Sequence, residues 1–157
     1  MSTRTGVAQQ ADSLAAAAEE LLPGWVERSV QKSMAAAGLA YDAEVATAAA
    51  EAGRRAGAEV GGQIRTLLGA DVDEQRTTPL TLVRAACRYP AAVLAEAGVP
   101  PAGRDPISAR LFPDDIHDLA PATLGDVDPR LGELGIAWGA AKAYEHLARR
   151  RRREASS

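Results

Sequence analysis

The sequence predicts an all-α fold, a compact bundle of about six or seven helices with some kinked by proline. Three observations lead there. Of the 157 residues, 46% are hydrophobic yet only 4% are aromatic, and alanine dominates the apolar set. Alanine favours helix, whereas β-branched and aromatic residues favour strand. Long stretches carry apolar residues at three- and four-residue spacing, the period of a helix. Finally, Thr78–Pro79, Asp105–Pro106 and Asp128–Pro129 repeat one helix-start signal: a capping oxygen, then proline at the first helical position.

Element by element, residues 1–8 read as a disordered N-terminus. From Asp12, Leu14, Ala18, Leu21, Leu22, Trp25, Val26, Val30 and Met34 keep helical spacing. Pro23 and Gly24 interrupt it, which predicts two helices or one sharply kinked helix. Gly38 is placed to cap its end. Asp42 then caps a long helix to about Leu68, with Val45, Ala49, Ala52, Ala56, Val60, Ile64 and Leu67 inward. Gly53, Gly57, Gly61 and Gly62 thin one side of it, so another backbone could approach closely there. The helix after Thr78 contains Pro90 and should kink near Tyr89, and Gly98 ends it. Residues 99–129 are the least regular, with a short helix after Asp105. The last helix runs from Arg130 to about Arg152, with Leu131, Leu134, Trp138, Ala141 and Leu147 among its apolar positions. Trp25, Val30, Val60, Leu82, Leu94 and Trp138 are the predicted core.

No repeat or second-domain boundary interrupts residues 9–148, which read as one helical domain followed by a basic tail at 149–157. Net charge is −3, unevenly distributed. Arg149 to Arg153 with Glu154 give the last nine residues +4, leaving −7 on the other 148. An acidic body argues against the body as a nucleic-acid surface but leaves the tail open to nucleic acid or anionic lipid. The one cysteine, Cys87, rules out a disulfide framework and a cysteine zinc site. No segment approaches the ~20 apolar residues of a membrane span, and the N-terminus lacks a signal-peptide core. The expected location is the cytoplasm.

The stretches "RTTPLTLVRAACRYPAAVLAEAGVPP", "FPDD", "DVDP" and "WGAAKA" together resemble a group of actinobacterial proteins, over roughly residues 20–148. The resemblance implies a cytoplasmic, all-helical protein. No activity is established for that group, so no functional residue carries over from it.

"FPDDIHDLAP" (112–121) contains the most suggestive motif. Asp114, Asp115 and Asp118 fit D-D-x-x-D, a spacing that in helical isoprenoid synthases gathers carboxylates around magnesium and diphosphate. Pro113 and Pro121 leave barely two turns between them, and no second metal motif accompanies it. Aspartates of turns and caps explain the stretch better, so the loop reading is preferred. Asp71 and Asp73 begin like a calcium loop, but Arg76 stands where glycine should turn the chain and Leu82 where the bidentate glutamate belongs. Cys87, between Arg84 and Arg88, has the neighbours of a reactive thiol yet lies in an apolar helical run, which favours a core position. His146 lacks the paired Glu-x-x-His of a di-metal protein. Residues 94–112 have the cadence of a helix-turn-helix, but Pro101, Gly103 and Pro106 would break the recognition helix.

No catalytic constellation and no cofactor site emerge. The expectation is a non-enzymatic helical interaction or structural protein with a protein partner or self-association. The alternative is attachment to nucleic acid or anionic membrane through Arg149, Arg150, Arg151, Arg152 and Arg153. A third reading is a metal-dependent enzyme using Asp114, Asp115 and Asp118.

Overall fold

The computed structural model describes residues 6–68 and 77–156. Among them every regular element is helical. In chain order these are α1 (Gly6–Ala36), α2 (Ala43–Gln63) with a π-helical turn at Ile64–Leu68, α3 (Pro79–Ala85) and α4 (Arg88–Glu96). Then come α5 (Pro106–Leu111), a 3-10 turn at Leu124–Asp126, and α6 (Pro129–Ser156). The predicted starts hold at atomic detail. Asp42 accepts from Val45 N at 2.9 Å, Thr78 from Thr81 N at 3.2 Å, Asp105 from Ser108 N at 2.8 Å and Asp128 from Arg130 N at 2.9 Å. Two ends are glycine caps: Gly38 and Gly98 take φ of +70° and +83°, and the residue after each donates back five positions, Leu39 N to Met34 O and Val99 N to Leu94 O.

α1 is the central element, packing against α2, α4 and α6. Its neighbours α2 and α6 both run antiparallel to it. Pro23 and Glu19 meet Gly53 and then Gly57 of α2, while Gly6 lies near Ala141 and Glu20 pairs with Arg130 at 2.9 Å on α6. Leu14, Leu22, Val26 and Val30 of α1 are buried completely or nearly so. Each such side chain removed from water contributes about 1.5–3 kcal/mol before entropy is counted. All six predicted core residues are buried in this one cluster.

Three expectations change. α1 starts at Gly6, so residues 6–8 are helical, while residues 1–5 lie outside the described residues. Of the two readings at Pro23–Gly24, two helices or one kinked helix, the single helix forms: α1 continues through both residues. Proline lacks the N–H that would bond the Glu19 carbonyl. That carbonyl lies 3.1 Å from where a Cβ on Gly57 would sit, so α2 packs directly against it. Packing against α2 thus covers the gap that proline opens.

The break associated with Pro90 lies upstream, at Ala86–Cys87, and separates α3 from α4. A proline ring opposes the carbonyl four residues back, here that of Ala86. The Ala86 carbonyl instead accepts from Tyr89 N in a tighter turn. Finally, Leu68 and not Leu67 enters the core, because the wide π turn adds a residue and rotates the helix face that follows. The terminal basic stretch is part of α6, which continues to Ser156.

Candidate functional site

The 112–121 stretch folds around one carboxylate. Asp115 accepts Leu119 N on one oxygen at 2.7 Å and Ala120 N on the other at 2.9 Å. Asp118 sits at φ +56°, the left-handed region that Asp and Asn tolerate better than most residues, and Asp114 is exposed. With both Asp115 oxygens committed to backbone, the three aspartates make a turn. Among the described residues no three His, Cys, Asp or Glu side chains gather as a metal-binding group. Asp71 and Asp73 lie outside the described residues, and Leu82 is a core residue.

A test follows from this geometry. Asp114→Asn with Asp118→Asn should leave the urea midpoint unchanged. Asp115→Asn should cost about 1–2 kcal/mol, since asparagine offers one carbonyl oxygen where two are used. Magnesium or manganese should not shift the melting temperature. A saturable shift that vanishes when all three aspartates are replaced by asparagine would make the stretch a metal site.

His117, between these aspartates, is buried at 6% exposure. Its Nε2 lies 3.3 Å from the Val99 carbonyl, which fixes that nitrogen as the donor, and Nδ1 has no hydrogen-bond partner among the described residues. The histidine joins the 99–102 connector to the 117–122 segment along one wall of an 810 Å³ groove. Trp25, Arg28, Ser29, Lys32 and Ser33 of α1 line the same groove, and Asp118 and Asp126 bring negative charge to it. Arg84 secures the same segment from α3, donating to Pro121 O at 2.9 Å and Ala122 O at 3.2 Å and lying 5.0 Å over the Phe112 ring. Sequence reading gave His117 no role, because its burial arises in a segment without periodicity.

Cys87 is buried at 5% exposure. Burial pushes its thiol up to about 12, with the Asp115 charge adding to the rise and Arg84 opposing it. At neutral pH the group is a thiol, not the thiolate that nucleophilic chemistry needs. His146 is exposed on α6. The helix-turn-helix cadence resolves into α4, a connector from Ala97 to Asp105, and an α5 of six residues. No uninterrupted recognition helix exists there.

The second candidate surface is α6. Its inward side carries Leu131 and Trp138, both buried, with Trp138 Nε1 donating to Leu68 O at 3.3 Å. Beyond Ala141 the inward side turns charged: Lys142 lies 5.2 Å over the Trp138 ring, and Arg149 meets Glu145 at 3.3 Å. The outward side does the reverse. Ile136 and Tyr144 are each 75% exposed and Leu147 is 44% exposed, with Ala140 and Ala143 exposed between them. At 100° per residue, Ile136, Ala140, Ala143, Leu147 and Arg150 fall within about 40° of a single line along the helix. Between Glu133 and Arg150 that line bears no charge. Arg150 to Arg153 are exposed, whereas Arg149 is half-buried against Glu145.

No protein-family model matches the chain, and neither a curated protein nor a solved structure matches it.

Proposed function

We propose that this chain is a non-enzymatic helical interaction protein of the cytoplasm, a compact bundle that docks a macromolecular partner through the outward face of α6. The observation carrying this reading is the inverted polarity of that helix. A solvent-facing helical side is ordinarily charged and its inner side apolar. Between Glu133 and Arg150 the charged residues Lys142, Glu145 and Arg149 turn inward, while Ile136, Tyr144 and Leu147 turn out. Large apolar side chains grouped on water mark an interaction surface, in contrast to scattered single ones.

The arginine run supports a separate nucleic-acid or lipid surface less well. Consecutive residues step 100° around a helix, so Arg150 to Arg153 point to all sides. Only Arg150 and Arg151 share the apolar side. They read as the charged border of the docking face, and their position at a helix C-terminus also complements the macrodipole.

Site-specific photo-crosslinking in the expressing cell tests the reading. Benzoylphenylalanine in place of Tyr144 should give a discrete adduct, lost when Ile136→Glu is added. The same probe at exposed Ala50 on α2 should give none. Absence of any adduct at position 144, or an adduct indifferent to Ile136→Glu, would overturn it.

A further inference from the structure

We infer that the partner on this face is a second copy of the chain, bound through α6 in antiparallel register about a two-fold axis between Ala140 and Ala143. The inference rests on the docking reading above and deepens it. Its first support is the spacing of the face itself. Ile136, Ala140, Ala143 and Leu147 are symmetric about their midpoint in both spacing and size, large–small–small–large. A two-fold axis there sets each Ile136 against the partner's Leu147 and each Ala140 against the partner's Ala143. Isologous pairing needs a patch that is its own complement, and this one is.

The second support is room at the crossing point. Ala140 and Ala143 have single-carbon side chains, and no described atom lies within 4 Å of the position a Cβ on Gly139 would take. Two helices can therefore approach closely at the centre, while Ile136 and Leu147 fill the space on either side.

Charge is the third support. The same axis that pairs Ile136 with the partner's Leu147 brings Glu133 beside the partner's Arg150 and the partner's Arg151. Each copy supplies the acid at one end of its apolar line and the bases at the other, so both ends are complementary at once. A parallel pair would instead set Arg150 against the partner's Arg150. An anionic membrane would use the arginines but leave Glu133 facing lipid phosphate. Apolar contact this short makes a weak, concentration-dependent dimer at the small end of specific interfaces.

Sedimentation equilibrium of the full chain, in a series reaching roughly 1 mM, should show mass rising from 16.4 kDa toward twice that value. Ile136→Glu and Leu147→Glu should each hold the chain monomeric with an unchanged melting curve, since both residues are exposed in the monomer. Glu133→Arg should weaken association roughly tenfold. Combining it with Arg150→Glu and Arg151→Glu should restore association, because the reversed charges again meet their opposites. The crosslinked adduct at position 144 should have twice the mass of the chain.

A monomer at every concentration overturns the inference, as does a dimer that survives Ile136→Glu. Dimerisation that Ile136→Glu abolishes but the triple charge reversal fails to restore overturns the antiparallel register. Flotation with phosphatidylserine–phosphatidylcholine vesicles, lost in Ile136→Glu while the protein stays monomeric, would make the face a membrane surface. An adduct of another mass would retain the docking reading and overturn the second copy, and no adduct would overturn both.

Discussion

Trp138→Ala should destabilise the protein by about 3–5 kcal/mol, a large fraction of the stability of a domain this size. The indole is 5% exposed on the inward side of α6. Two losses combine in the variant. The ring volume leaves a cavity in the cluster that joins α6 to α1, and the Leu68 carbonyl, in a fully buried residue, loses the Nε1–H that it accepts at 3.3 Å. Trp138→Phe separates them, since it keeps most of the ring and removes the donor. It should cost clearly less, about 1–3 kcal/mol. Equilibrium urea unfolding followed by far-ultraviolet circular dichroism measures both. An unchanged midpoint in Trp138→Ala would show that α6 is not docked through this residue.

Replacing Gly53 should have the other large effect, and here helix propensity points the wrong way. Alanine is favoured over glycine in a helix by up to ~1 kcal/mol. A Cβ on Gly53, however, would sit 2.8 Å from the Pro23 oxygen and 2.9 Å from the Pro23 Cα. Both are backbone atoms, so no rotamer relieves the clash, and α1 and α2 must separate. Gly53→Ala should therefore cost about 1–3 kcal/mol, and Gly53→Val more. Gly62, nine residues on in the same helix, is exposed, and a Cβ there meets no described atom within 4 Å. Gly62→Ala should stabilise by up to ~1 kcal/mol. The opposite signs within one helix are the point of the pair, and urea midpoints for the two alanine variants decide it. A stabilised Gly53→Ala would mean that α1 and α2 do not pack at Pro23.

What the sequence made readable follows the range of the interactions involved. Asp42, Thr78, Asp105 and Asp128 were recognisable as caps because a cap is settled within three residues of itself. The glycine face of α2 was recognisable as a place of close approach, since small residues at helical spacing leave few other uses. That α1 would supply the backbone, and that Pro23 would sit within the helix facing that glycine surface, depended on a neighbour distant in the chain. The π turn had no local mark, for "IRTLL" offers an apolar residue to either register.

The candidate surfaces divide in the same way. The flanking prolines mark the aspartates of 112–121 as a turn, and Asp115 supplies the bonds that make it one. The polarity of α6 is present in the sequence but hidden behind its core period. Leu131, Leu134, Trp138 and Ala141 keep one period, whose next place is Glu145 rather than Leu147. Leu147 lies on the outward side, where grouping it with the core positions conceals a second apolar line.

The central position of α1 also sets an order of assembly. Its contact with the π turn that follows α2 joins residues 46 apart, Glu19 and Arg65, whereas its reach toward the start of α6 joins residues 99 apart, Arg28 and Val127. By chain-closure entropy alone, that doubling adds only ~0.6 kcal/mol to the cost of meeting. Contacts between nearer segments nonetheless form sooner, so α1 and α2 should pair first and supply the template on which α6 settles last. The last element to settle is commonly the first to open. Backbone amides of α6 should then exchange with deuterium at lower opening free energies than those of α1 and α2, and uniform protection across the three helices would contradict this order. Two copies joined through α6 would slow that exchange, coupling the least protected helix of the monomer to protein concentration.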